Sequence, residues 1–301
     1  MEPSAPVECR PATVVFTDLV GSVKMYSRVS DPVAVALVQR LDAEVREALP
    51  PLRGRFIKST GDGHLLVFED APGAVRAARE IHRRCGALAR ESGQDLAVRV
   101  AAHSGEVFFD PGDIHGNTVN LCARLLAVPG AGETAVTAET LAAVPPGERA
   151  GFTPHGPEVF KGFTRYCLVH CLPNPDAAID KTLQQLSLGE DTALQATANM
   201  PRHDRYALVL EHPQKTGSFT VAEGETLLLG RAPECGINVP DRMFSGMHGA
   251  FAVVEGILWA FDLQSANGMI YRGRRIKRRR PLEVNGMLQL PTGTLQVTLP
   301  A

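Results

Sequence analysis

The stretch Val14-Val15-Phe16-Thr17-Asp18-Leu19-Val20-Gly21-Ser22 decides the fold of the first half of this chain. A short apolar run rich in β-formers reads as a buried strand, and it ends on a carboxylate. Forty residues on, Phe56-Ile57-Lys58-Ser59-Thr60-Gly61-Asp62-Gly63 repeats the arrangement. Here two strands, Arg55–Thr60 and His64–Phe68, are predicted to meet at a Gly-flanked turn that exposes Asp62. A third stretch, Gly116-Asn117-Thr118-Val119-Asn120-Leu121-Cys122-Ala123-Arg124-Leu125, reads as a helix. Asn120 and Arg124 are four apart and so share one face of it. Two carboxylates at strand ends are hard oxygen ligands for Mg²⁺ or Mn²⁺, and an arginine can neutralise a phosphoryl centre.

Around these three stretches, strands and helices alternate. Asp31 and Pro32 start a helix whose apolar face is Val38, Leu41, Val45 and Leu49, stopped by Pro50-Pro51. Asp70 and Pro72 open another, with Ala74, Ala78, Ile81, Cys85 and Leu88 on one side. Leu96–Phe109 reads as a strand or a long hairpin bent at Ser104-Gly105, and Tyr166–Leu172 as a closing strand. The order fits a βαββαβ core, an α+β ferredoxin-like fold.

These residues resemble the class III nucleotidyl cyclase catalytic domain, over roughly residues 12–172. Beyond the two aspartates, Lys58 lies four residues before Asp62, and Asp113 seven before Asn120. In that family a lysine and an aspartate at these offsets recognise adenine, where guanylate cyclases usually carry glutamate and cysteine. The resemblance implies an adenylate cyclase converting ATP to 3′,5′-cyclic AMP and pyrophosphate. Asp18, Asp62 and the Leu19 carbonyl would hold two Mg²⁺ or Mn²⁺ ions. Asn120 would orient the ribose, Arg124 would stabilise the α-phosphate, and Lys161 is a candidate triphosphate contact. It also implies a homodimer, because family sites form between two chains. No Gly-x-x-x-x-Gly-Lys-[Ser/Thr] occurs, so a P-loop is not supported.

Residues 1–11 read as a tail and 173–204 as a linker. The linker is Gln-, Ala- and Thr-rich, with one weakly amphipathic segment through Ile179, Leu183 and Leu186. From Arg205 onward the texture is all-β. Ala207–Leu210, Thr226–Leu229, Gly249–Val254, Ile257–Leu263, Leu288–Leu290 and Thr294–Leu299 are short apolar runs between Gly, Pro and Asn punctuation, and Glu255-Gly256 reads as a two-residue hairpin turn. A β-sandwich over 205–301 is expected. Gly230-Arg231, Ser245-Gly246-Met247-His248 and Asn267-Gly268 resemble the signature of the forkhead-associated (FHA) domain, a reader of phosphothreonine. By that resemblance Arg231 and Ser245 contact phosphate, Asn267 holds the peptide backbone and His248 braces the loops. Gly246 and Ala266 depart from the family, which often has Arg or Asn at the first position and Thr or Ser at the second, so fewer phosphate contacts follow. The partner implied is a phosphothreonine protein, such as a Ser/Thr kinase or its substrate. The run Arg272-Gly273-Arg274-Arg275-Ile276-Lys277-Arg278-Arg279-Arg280 reads either as a solvated loop or as a face for acidic partners.

The 301 residues suffice for two domains, and a 44% hydrophobic content lets each bury a core. Lys and Arg total 31 against 33 Asp and Glu, so bulk charge gives no argument for nucleic acid or membrane partners. No apolar run is long enough to span a bilayer and the N-terminus lacks signal-peptide character. Six scattered cysteines without a Cys-x-x-Cys fit reduced, mostly buried thiols, and a cytoplasmic location is expected. Cys167, His170 and Cys171 fall on one predicted strand, whose alternation turns His170 away from the two cysteines.

Overall fold

The computed structural model describes residues 8–174 and 191–300. The amphipathic segment through Ile179, Leu183 and Leu186 lies outside them. The chain divides into two compact units, one within Met1–His155 and Leu168–Gly189, the other within Gly156–Cys167 and Glu190–Ala301.

The first unit follows the order β1 (Glu8–Val20), α1 (Ser22–Arg28), α2 (Asp31–Ala48), β2 (Gly54–Ser59), β3 (His64–Phe68), α3 (Ala71–Ser92), β4 (Ala97–Asp110), β5 (Asp113–His115), α4 (Asn117–Leu125), β6 (Glu133–Thr137), α5 (Ala138–Ala142), β7 (Thr153–Glu158) and β8 (Cys167–Pro173). The sheet order is β2-β3-β1-β4-β6-β8-β7, with β5 paired to β4. β1 starts at Glu8, inside the stretch read as a tail. It pairs with β4 continuously from Glu8↔Phe109 to Val20↔Ala97, so Leu96–Phe109 is one strand rather than a hairpin. Helices α2 and α3 cover one face. Leu41, Val45, Ala74, Ala78, Ile81, Cys85 and Leu88 pack there against Val15, Leu19, Leu66, Phe68, Val98, Val100 and Ala102. The Asp70 carboxylate accepts from Gly73 N–H at 2.7 Å and caps α3. Ser30, not Asp31, is the residue preceding α2, a shift of one position. Helix α4 lies on the opposite face, where the Cys122 thiol reaches Val14 O (3.2 Å) and Ala101 O (3.4 Å).

The second unit is a sandwich. After a short helix α6 (Asp191–Gln195) come β9 (Arg205–His212), β10 (Lys215–Ala222), β11 (Thr226–Gly230), β12 (Ile237–Asn238), β13 (Gly249–Val254), β14 (Ile257–Asp262), β15 (Ile270–Tyr271), β16 (Arg274–Arg275), β17 (Arg279–Leu282), β18 (Met287–Leu290) and β19 (Gly293–Thr298). They form two sheets, β10-β9-β19-β18-β15-β16 and β12-β11-β13-β14-β17. Tyr206, Leu208, Phe244, Phe251, Leu258 and Leu295 fill the space between. Glu255 (φ 51°) and Gly256 (φ 75°) are both left-handed, which makes the predicted β13–β14 turn a type I′ turn. The segment 156–167 packs within this unit. Its Glu158 is buried, and its carboxylate is paired with Arg279 and accepts from Arg278 Nε at 3.0 Å.

Candidate functional site

Alternation along β1 sends Val15, Thr17 and Leu19 toward α2 and α3, and Phe16 and Asp18 to the other face. Asp18 is directly opposite Arg99 on β4, and the Arg99 Nη2–Asp18 Oδ2 distance is 2.6 Å. Asp62 sits in the turn between β2 and β3, and that turn lies backbone to backbone on β1. A Cβ at Gly63 would stand 2.1 Å from Thr17 O and 3.1 Å from Asp18 Cα. Only glycine permits this approach, which brings the two carboxylate-bearing segments together.

Thr17, one residue before Asp18, and His64, two residues after Asp62, are register partners on the core side, and their side chains bond at 2.8 Å. His64 Nε2 lies 3.4 Å from an Asp42 oxygen on α2. Burial lowers the His64 pKa, with Asp42 opposing. A neutral ring that accepts from the Thr17 hydroxyl at Nδ1 and donates from Nε2 to Asp42 satisfies every partner. Arg99, Thr17, His64 and Asp42 were not among the residues singled out from the sequence. Their roles rest on pairings between distant segments, though alternation along β4 already sets Arg99 apart as a charge inside an apolar strand.

Lys58 reaches the Asp18 face through a bulge. The β2–β3 register shifts between Phe56 and Lys58, so Phe56 pairs Leu66 on the core side while Lys58 pairs Leu65 on the other. Its ammonium is 2.5 Å from Asp113 Oδ2. The hydrogen bond from Lys58, with a further one from Ile114 N–H, holds the Asp113 carboxyl below its ordinary pKa. Their meeting reports on shape. Lys58 is level with Phe16 and Ala101, while Asp113 pairs with Asp110 at the far end of β4. In a flat sheet that is roughly 30 Å of strand at about 3.4 Å per residue. The outer β1–β4 ribbon therefore curls back over the sheet, and Arg10 and Arg55 both stack on Phe109 there (4.1 and 5.3 Å). On α4, Thr118, Cys122 and Leu125 are buried while Asn120 and Arg124 are exposed on the free side. Lys161 is also exposed, but it belongs to the 156–167 segment of the second unit.

Among the described residues no three His, Cys, Asp or Glu side chains form a metal cluster. The donors at hand are the Asp18 and Asp62 carboxylates and backbone carbonyls such as that of Leu19. This all-oxygen set on touching segments fits a hard divalent cation.

In the second unit, a Cβ at Gly230 would stand 2.0 Å from Gly246 O, so glycine lets β11 press against the Ser245 loop. Arg231 N–H then donates to Ser245 O (2.9 Å), and the Arg231 side chain is exposed. Ser245 Oγ accepts from Ala266 N–H (3.3 Å), and Asn267 Nδ2 donates to Met243 O (2.8 Å). His248 is fully buried. Its Nδ1 accepts from Ser245 N–H and its Nε2 donates to Gly268 O, both at 3.2 Å. Burial lowers its pKa and keeps this neutral tautomer. Arg231, Ser245 and Asn267 thus share one end of the sandwich, braced from beneath by His248.

A ferredoxin-like sheet with carboxylates on one open face and an Asn-x-x-x-Arg helix on the same face is the architecture of a nucleotidyl cyclase domain. Residues 6–170 match the adenylate and guanylate cyclase catalytic domain, and the chain belongs to that family. Residues 227–291 match the FHA domain, which the chain also carries. An adenylate cyclase from Glutamicibacter nicotianae is 36% identical over 134 residues, 42% of this chain and 32% of that protein. One from Streptomyces griseus is 30% identical over 122 residues, 40% of this chain and 29% of that protein. The chain therefore spans less than half the length of these curated relatives. The crystal structure of the adenylyl cyclase CyaB from P. aeruginosa shares the fold, with TM-score 0.52 and 19% identity over 58% of this chain and 100% of that one.

Proposed function

We propose that the first unit is an adenylate cyclase that converts ATP to 3′,5′-cyclic AMP and pyrophosphate as a cytoplasmic homodimer. The FHA domain would bind a phosphothreonine-containing protein and set the cyclase's location or output. The observation that carries the first reading is the Lys58–Asp113 pair, raised from the same sheet face as Asp18. An ammonium beside a carboxylate complements the adenine edge, which offers a ring-nitrogen acceptor next to an amino donor. Guanine presents the opposite order at those atoms.

Two divalent ions held by Asp18, Asp62 and the Leu19 carbonyl would supply an activated ribose 3′-hydroxyl and a neutralised triphosphate. The protein does the rest by position. Asn120 holds the ribose so that its 3′-oxygen faces the α-phosphorus. Arg124, one helical turn on, offers its guanidinium to the charge that builds on the α-phosphate. Arg99 adds a cation beside Asp18. Asn120 and Arg124 stand exposed on α4, as side chains completing a partner's site must. In the FHA domain, Arg231 and the Ser245 hydroxyl supply phosphate donors, and Asn267 is placed at the rim to hold peptide backbone.

Incubating the full chain with ATP or GTP and Mn²⁺ or Mg²⁺ tests the proposal. Cyclic AMP in excess of cyclic GMP, lost by roughly 10³-fold or more in Asp62→Ala, is expected. Cyclic GMP as the main product would make it a guanylate cyclase. Equal product from the variant would remove Asp62 from the site.

A further inference from the structure

The basic run 272–280 divides in the structure. Arg272, at its start, is paired with Glu283, and Arg278 and Arg279, near its end, share the buried Glu158 carboxylate. Its middle has no such partner. Arg274, Arg275 and Lys277 are exposed, and none lies within ion-pair distance of a carboxylate among the described residues. Ile276 between them is buried, with its N–H donating to Met269 O at 2.8 Å. Arg275, the last residue of β16, and Lys277 flank it in the chain, while Arg274, the register partner of Tyr271, faces the opposite side of β16 from Arg275.

Arg275 also ties this arm to the loops of the proposed phosphothreonine site. Its Nη2 donates to Ser265 O (3.1 Å) and Ala266 O (3.4 Å). Its guanidinium lies over Gly268, where an added Cβ would stand 2.4 Å from Nε. Ala266 is the residue whose N–H is held by Ser245 Oγ, and Asn267 is its neighbour. Two hydrogen bonds thus separate the Arg275 guanidinium from Ser245. The same loops carry Gly246 and Ala266, which bring no side-chain donor to a bound phosphate.

We propose that Arg275 and Lys277 form an anion subsite continuous with the phosphothreonine loops. The partner is then a phosphothreonine peptide with a second anionic group beside the phosphothreonine, from Asp/Glu side chains or a second phosphate. This rests on the phosphothreonine reading and deepens it. The cations supply, through flanking charge, recognition that Gly246 and Ala266 do not.

Fluorescence anisotropy with the full chain tests it on four labelled peptides of one length. One is phosphothreonine with neutral flanks, one has acidic flanks, one is doubly phosphorylated and one is acidic but unphosphorylated. The variant Lys277→Gln touches only an exposed side chain without a carboxylate partner, so it keeps the fold. We expect about a tenfold loss of affinity for the acidic or the doubly phosphorylated peptide, whichever is the natural chemistry, with the neutral-flank peptide unchanged. The wild-type preference should shrink as salt is raised. An equal loss for all peptides, or no loss, overturns the subsite. So does tight binding of the unphosphorylated acidic peptide or of heparin, which would mark a general polyanion surface. If Arg231→Ala leaves phosphopeptide binding intact, or wild type binds no phosphopeptide, the phosphothreonine reading falls and this inference with it.

Discussion

The two units expose their polar residues in different ways. In the first, each candidate side chain stands on a regular element, and strand alternation, one bulge and a helical turn aim it. Asp18 and Lys58 leave the sheet on the same face because their register partners do, and Asn120 and Arg124 share a side of α4 because they are four apart. In the second, Arg231, Ser245 and Asn267 stand on loops, and a buried histidine and a web of backbone bonds aim them. A site carried by elements is written in local spacing. A site carried by loops depends on what lies beneath them.

Changes on the elements should redirect chemistry without loosening the fold. Replacing the proposed base-recognition pair together, Lys58→Glu with Asp113→Cys, is expected to move the ATP/GTP preference by roughly 10²-fold or more, measured as the ratio of kcat/KM values. An unchanged ratio would detach the pair from base selection. A change under the loops should do the reverse. His248→Ala leaves Ser245 N–H and Gly268 O without their buried partner, so it should cost roughly 1–3 kcal/mol of sandwich stability in urea. It should also weaken every phosphopeptide, whereas cyclase chemistry keeps its nucleotide preference.

A smaller effect concerns pH. His82 is buried against Thr134 (2.9 Å), and burial pushes its pKa down to about 4 from an ordinary 6.5. The folded state excludes a proton that the unfolded chain binds below 6.5. Its contribution is therefore intact above 6.5 and lost as pH falls toward 4, a swing of roughly 3 kcal/mol. His82→Gln keeps a partner for Thr134 but does not titrate. Compared with wild type, its stability should fall less between pH 7 and pH 4.5. Parallel curves would show that His82 binds its proton equally in both states.

Much of the first unit was legible because its signals are local. The Gly-flanked turn, the Asp70 cap and the apolar faces of α2 and α3 all stand where spacing put them, and the strand that carries Asp18 is there too, though it runs past the carboxylate to Val20. Six sandwich strands were legible for the same reason. What was missed involves long-range context. β7 carries Pro154, Gly156 and Pro157, which reads as loop, and it is tolerated at the end of the sheet order where one edge needs no partner. β17 hides in the basic run, and its Arg279 is buried only because Glu158 meets it. The bulge that turns Lys58 outward and the Thr17–His64–Asp42 link behind the carboxylates arise from contacts that one-dimensional spacing does not contain. In the sandwich, β10 was lost because its half-exposed Lys215–Ala222 lacks an apolar run.

The central claim is that two chains share each active site, and mixing two dead variants tests it. Asp62→Ala lacks the proposed metal carboxylate and Arg124→Ala lacks the guanidinium proposed to face the phosphate. Each alone should make almost no cyclic AMP. In a two-fold dimer their heterodimer keeps one intact site, so an equal mixture should recover about a quarter of the wild-type rate. No recovery in heterodimers verified by differential tagging would contradict the shared site, and full activity of either variant alone would contradict the assignment of its residue.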